Sequence, residues 1–297
     1  MRILNFGSVN IDHVYRVDEF VKPGQTVSSL SLERFCGGKG LNQSIALARA
    51  GAKVMHAGKT GSDGDMLRKR LCENGVDISL LGQSSVASGH AVIQVDRSGQ
   101  NCILLFGGAN QDITRDDADR VLSGFGKGDI LVLQNEISSL EYIVKTAFQK
   151  GMRIALNPSP VEEKLRGLIP FVTWLILNED EGAALSGCGG GPEAVAESLL
   201  GMNASLKVVL TLGKRGVYYK DALAAYTHGI YRVPVVDTTA AGDTFTGYFI
   251  ACVSRGESVP DALRYASVAS SLAVSRRGAS DSIPLWAEVK DARLEPV

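Results

Sequence analysis

One pattern constrains this chain more than any other: short, largely apolar runs alternate with stretches of helical spacing almost throughout. Ile3 to Val9 reads as a buried strand. Gly40 to Ala50 then carries Leu41, Ile45, Leu47 and Ala48 at helical intervals and stops at Gly51, a helix C-terminal signal. Lys53 to Ala57 is the next strand, and Asp63 to Asn74 the next helix, with Met66, Leu67 and Leu71 as its apolar stripe. Further cycles run through Ile130 to Leu133, Leu140 to Gln149, Ile154 to Leu156, Trp174 to Leu177, and Val208 to Leu212. Strands this apolar must be covered on both faces, and parallel neighbours need crossover helices. The expected fold is α/β, a mainly parallel sheet between two helical layers.

Two regions in the first third break the alternation. Thr26 to Phe35 alternates with period two, and Gly89 to Phe106 reads as two strands joined at Arg97 to Gln100. They predict a small β-layer, drawn from about 13–36 and 89–106, beside the carboxyl edge of the main sheet. That is where a lid over a pocket belongs. Gly216 to Tyr226 reads as a hairpin turning at Lys220-Asp221, and Gly242 to Ser275 as helix interrupted around Gly256 to Pro260. With no repeat, low-complexity tract or linker, a single domain over 1–297 is expected.

Composition narrows the function. The 31 basic and 32 acidic side chains leave a net charge of -1, so the basic excess that nucleic-acid or membrane-surface binding needs is missing. No apolar run approaches the roughly 20 residues of a membrane span, and Asn5 and Gly7 come too early for a secretion signal. A cytoplasmic protein is expected. Five widely spaced Cys without a C-x-x-C pair, and four His with none at i, i+4, disfavour disulfide or zinc frameworks.

The strongest local signal is Val236 to Gly247, V-D-T-T-A-A-G-D-T-F-T-G. An extended segment ends there and a helix begins. Small residues at Ala240, Ala241 and Gly242 leave amides open at the helix start, where the dipole favours an anion. Asp243 follows directly. Taken alone, it reads as an ordinary first-turn acid.

Its company points further. Asp237 to Gly247 resembles the C-terminal signature of the PfkB carbohydrate kinases (the ribokinase family), and Gly37-Gly38-Lys39-Gly40-Leu41-Asn42 resembles their N-terminal signature. The similarity runs from about Ile3 to Pro284. It implies a three-layer ribokinase-like fold with a β-sheet lid and ATP-dependent phosphorylation of a small sugar, D-ribose to the 5-phosphate first. Asp243 would be the base, with Ala240, Ala241 and Gly242 as its anion hole. Substrate contacts would come from Asn10, Asp12, Gly38, Lys39, Asn42, Glu136 and Asp243. Nucleotide contacts would come from Asn178, Thr211, Gly213, Gly216, Gly242 and Ser267.

The same resemblance implies Mg²⁺ held through water by Glu181 of the Asn178-Glu179-Asp180-Glu181 segment. It also implies a monovalent cation, K⁺, near Asp237, Thr239, Ala273, Arg276, Gly278 and Ser282. A homodimer through the lid is expected, since apolar edge strands need cover. Each of these residues has a plainer reading as turn, cap or solvated charge. The alternatives are a nucleoside, fructose or keto-deoxy sugar acid as substrate, or an inactive sugar- or nucleotide-binding regulator. Few aromatics near the lid (Phe35, Phe106) and one evident pocket cation (Lys39) favour a neutral polyol. Gly58-Lys59-Thr60 mimics the end of a P-loop, but Lys53 stands where that motif needs glycine.

Overall fold

A computed structural model describes all 297 residues. In chain order the strands are β1 (Ile3–Phe6), β2 (Asn10–Arg16), β3 (Ser31–Gly37), β4 (Val54–Thr60), β5 (Asp77–Gln83), β6 (Gly89–Val95), β7 (Asn101–Phe106), β8 (Ile130–Gln134), β9 (Arg153–Asn157), β10 (Trp174–Asn178), β11 (Lys207–Thr211), β12 (Val217–Lys220) and β13 (Ala225–His228). The helices are α1 (Lys39–Arg49), α2 (Asp65–Glu73), α3 (Arg115–Leu122), α4 (Leu140–Gln149), α5 (Glu179–Ser186), α6 (Pro192–Met202), α7 (Ala241–Ser254), α8 (Val259–Val274) and α9 (Trp286–Asp291).

Nine strands form the central sheet in the order β13-β12-β11-β10-β9-β8-β1-β4-β5. It is parallel from β5 to β11 and closes with the antiparallel β12 and β13. Alternate residues of each strand feed different cores. Ile3, Ile130 and Val132 pack with α1, α7 and α8 on one side. Leu4, Phe6, Leu131 and Leu133 pack with α3 to α6 on the other. This is the three-layer α/β/α arrangement the alternation implies.

The second sheet has four strands, β3-β2-β6-β7. Its segments overlap the expected lid regions, with two differences. Of the Thr26 to Phe35 pattern only the part from Ser31 is in β3, which runs on to Gly37 against β2. The first apolar run ends at Phe6, so the chain crosses into the second sheet at Asn10 and puts Asn10 and Asp12 on a strand rather than a turn. The β12–β13 turn lies between Asp221 and Ala224, whose backbones pair beyond the last strand residues, not at Lys220-Asp221. The helical stretch from Gly242 to Ser275 is interrupted where expected, between the end of α7 at Ser254 and the start of α8 at Val259, and Pro260 lies just past the break. It sits in the first turn of α8 after the Ser258 N-cap, where a missing N–H costs nothing. No helix is long and apolar enough to cross a membrane.

Candidate active site

The parallel strands turn polar at their carboxyl ends, all on the α1/α7 side. Ile3 is followed two residues on by Asn5, Val54 by His56, Val132 by Gln134, Ala155 by Asn157, Ile176 by Asn178, and Val209 by Thr211. Period-two geometry makes each polar residue face the same way as the core residue before it. The sheet edge thus presents a polar floor to the N-termini of α1 and α7, the usual place for ligands in α/β proteins.

A cavity of about 230 Å³ opens at this edge. Its wall includes Lys39, Asn157, Asn178, Glu181, Thr211, Ala240, Ala241, Gly242 and Asp243. A larger polar hollow of about 570 Å³ lies beside α4 and contains none of these residues.

Asp243 stands in the first turn of α7, buried except toward the cavity. Its Oδ2 accepts from Nδ2 of Asn42 at 3.0 Å and its Oδ1 from Nε2 of Gln43 at 2.9 Å. No cation pairs with it. Ala240 takes the left-handed conformation at φ 59, unusual for a residue with a Cβ. That bend draws the Ala241 N–H onto the Thr238 carbonyl at 3.3 Å, so Ala241 is not the open amide the sequence suggests. The amides of Ala240, Gly242 and Asp243 have no protein acceptor, which leaves donors at the helix start free for an anion.

Lys39 lies in the field of three acidic groups. Its backbone N–H donates to Oε2 of Glu136 at 3.1 Å. Burial works to lower the ammonium pKa, but Asp243, Glu136 and Glu181 outweigh it and the net shift is upward, so the charge is held firmly. Glu136 also accepts from the Ser8 hydroxyl. Its carboxyl pKa is raised by burial, with Lys39 opposing. Asp12, on β2, is pushed up to about 6 by burial and then by Glu136. Asn10 accepts from Nδ2 of Asn110 at 2.7 Å, and Asn110 in turn accepts from the Val9 N–H. Gly38 turns at φ 93 against the backbone of Val9 and Asn10, an approach that leaves no room for a larger residue. Asn10, Asp12, Gly38, Asn42 and Glu136 are not on the cavity wall. They form an adjoining group, linked to it by the Lys39–Glu136 and Asn42–Asp243 hydrogen bonds.

Asn178 and Glu181 make a reciprocal capping box at α5: Asn178 Oδ1 accepts from the Glu181 N–H and Glu181 Oε2 from the Asn178 N–H, both at 2.9 Å. Glu181 lines the cavity, and its Oε1 makes no hydrogen bond within the protein. Gly213, Gly216 and Ser267 lie off the wall. Gly216 has a packing reason of its own, since a Cβ there would stand 2.0 Å from the His228 carbonyl oxygen. Asp237 clasps two loops: Oδ1 accepts from the Thr239 N–H and hydroxyl, and Oδ2 from the Gly278 N–H at 3.0 Å. Ala273 and Ser282 are occupied locally, Ala273 O by the Arg276 N–H and the Ser282 hydroxyl by Ala279 O, while Arg276 pairs with Glu288. The neighbouring Asp281 turns away to Arg70. No three His, Cys, Asp or Glu side chains converge as a metal cluster.

Residues that sequence reasoning passed over include Gln43, Asn157, Gln134 and Asn5. The available signal was a polar residue inside or ending an otherwise apolar strand.

A carboxylate beside open helix-start amides, a half-buried lysine and an acidic cap, at the carboxyl edge of a doubly covered parallel sheet, define a phosphoryl-transfer class of site. Residues 2–286 match the pfkB family of carbohydrate kinases, and the chain belongs to that family. It is an ATP-dependent sugar kinase. The ribokinase of Haemophilus influenzae is 32% identical over 286 residues, covering 94% of each chain. The ribokinase structure from Thermotoga maritima superposes with a TM-score of 0.89 at 32% identity, covering 97% of this chain and 98% of its own. The Arabidopsis thaliana ribokinase complexed with ribose and ATP gives a TM-score of 0.86 at 27% identity over 97% of each chain.

Proposed function

We propose that this chain phosphorylates D-ribose at its 5-hydroxyl, with Asp243 as the base. The hydroxyl oxygen bonds to the γ-phosphorus of ATP, the bond to the bridging oxygen breaks to release ADP, and the hydroxyl proton passes to Asp243. One observation carries the reading: the Asp243 carboxylate and the open amides of Gly242 and Asp243 share one cavity wall with Lys39. A group losing a proton and a group gaining negative charge are thereby served from one helix turn. The base need not be strong, because the alcohol becomes acidic only as bonding to phosphorus advances.

Asn10, Asp12, Gly38, Asn42 and Glu136 serve as the sugar subsite, with Lys39 bridging it to the phosphates. Asn178, Thr211 and Gly242 belong to the nucleotide side. The free Oε1 of a buried Glu181, without a multi-carboxylate cage, suits Mg²⁺ that keeps most of its waters. Bound there, Mg²⁺ supplies charge neutralisation on the phosphates. The clasped loops around Asp237 and Gly278 are the place for a monovalent cation held by backbone carbonyls. The four-stranded sheet acts as a lid and as a homodimer contact. The test is ATP consumption across a panel of pentoses, hexoses and nucleosides. Turnover dependent on D-ribose supports this reading; turnover only with a nucleoside or ketohexose reassigns the substrate.

A further inference from the structure

Beneath α1 the polar ends of the strands join into one hydrogen-bonded chain that reaches Asp243. Gln43 is wholly buried at its centre. Its Nε2 donates to Oδ1 of Asp243 at 2.9 Å and to Oδ1 of Asn157 at 3.1 Å, using both hydrogens. Its Oε1 accepts from Nε2 of Gln134 at 2.7 Å. Gln134 spends its other hydrogen on Oδ1 of Asn5 at 3.1 Å. Asn5 donates to the Gly40 carbonyl and to the Ser44 hydroxyl, both at 2.8 Å, and Ser44 lies 2.8 Å from Nδ1 of His56. Burial holds the His56 ring pKa down to about 3, so the far end of the chain is uncharged.

The sense of each bond is forced. An amide has one donating and one accepting end, and an ionised carboxylate only accepts. Turning Gln43 over would set its oxygen against the oxygens of Asp243 and Asn157, and its NH₂ against that of Gln134. Gln134 likewise faces two acceptors, and its own Oε1 is left buried without a partner. An unpaired buried oxygen is a cost of about 1–3 kcal/mol, tolerated here in exchange for a fixed donor direction. Asn42, the preceding residue of α1, holds the other oxygen of Asp243.

We propose that Gln43 is a positioning residue for phosphoryl transfer, its amide locked by Gln134 into the orientation that aims the Asp243 carboxylate at the substrate hydroxyl. The inference rests on Asp243 being the base. A polar cluster that merely fills the core would stabilise the fold without setting turnover, and the two roles separate in steady-state kinetics.

The expected result for Gln43→Met, which keeps length and loses the donor, is a kcat lower by about 10–100-fold, the scale of a misplacement near 1 Å. The KM values for sugar and ATP should stay within about threefold, since Gln43 is not itself on the cavity wall. Gln134→Met, which contacts neither Asp243 nor the cavity, should lower kcat in the parent but cause no further loss in the Gln43→Met background, because Gln134 acts through Gln43. Gln43→Asn, which keeps a polar core but falls short of Asp243, should reproduce the kcat loss if the Met variant does not fold. A kcat within about twofold of the parent for a folded Gln43 variant, or additive losses in the double variant, overturns the proposal. Asp243→Asn in the same assay separates the two claims. Retained turnover there removes the base assignment and this inference with it, whereas lost turnover with an active Gln43→Met removes the positioning role alone.

Discussion

Asp12 sits where stability and binding pull in opposite directions. Gly37, paired with Asn10 on the neighbouring strand, leaves room for the Asp12 carboxylate, since a Cβ there would lie 2.1 Å from one of its oxygens. The carboxyl is packed under the sheet edge, with its pKa raised from an ordinary 3.8 to about 6 by burial and Glu136. A raised folded-state pKa means the folded protein holds this proton more tightly than the unfolded chain. The stability it confers is whole below about pH 4 and lost as pH climbs through 6. Asp12→Asn should therefore raise Tm by about 2–4 °C at pH 7.5, for a gain on the order of 1 kcal/mol, and the gain should vanish near pH 3.5. Thermal unfolding at both pH values reads this directly, and a Tm at pH 7.5 no higher than the parent's contradicts it. The same substitution should raise the KM for the sugar and leave that for ATP unchanged. The presence of Asp12 was legible in the sequence, but its strained ionisation was not. That depends first on burial and then on Glu136, brought beside it from more than a hundred residues away.

At the scale of elements, the site depends on how closely α1 and α7 approach. Gly247 allows it, since a Cβ at this position would stand 2.4 Å from that of Ala46 and 2.9 Å from the Leu47 nitrogen. Gly247→Ala should push the helices apart, at about 1–3 kcal/mol of stability. It should also lower kcat, because Asn42 and Gln43 ride on one helix and Asp243 on the other. A variant with a lower Tm and unchanged kcat would show that helix spacing does not set the geometry at Asp243. The elements themselves were largely readable, because helical and two-residue periods differ and glycines stop helices. β5, α3 and α6 were not read; of these only α3, Arg115–Leu122, has a sequence polar enough to pass as a loop. The Ala241 amide was misjudged since nothing in A-A-G-D announces a left-handed alanine. Gln43 went unnoticed because a buried glutamine in a helix looks the same as an exposed one until its partners on β8 and β9 are known.

For the molecule as a whole, the four-stranded sheet poses the open question of cover. Paired residues share a face, so Asp12 lies on the same side as Val14, Phe35, Ile93, Ile103 and Leu105. Phe35, Ile103 and Leu105 are exposed. An apolar face of this kind, continuous with the proposed sugar subsite, should be buried against a second copy. Sedimentation equilibrium should show a dimer, and Leu105→Glu should shift it to monomer and raise the sugar KM; a monomeric parent at working concentration contradicts the assembly. The claim on which the rest depends is narrower and concerns one carboxylate. Its most direct test is the turnover of Asp243→Asn with ATP and D-ribose, beside direct binding of each. The account predicts a kcat lower by about two orders of magnitude or more, the scale of positioned base catalysis, with both affinities nearly unchanged. Turnover within a few-fold of the parent would contradict it.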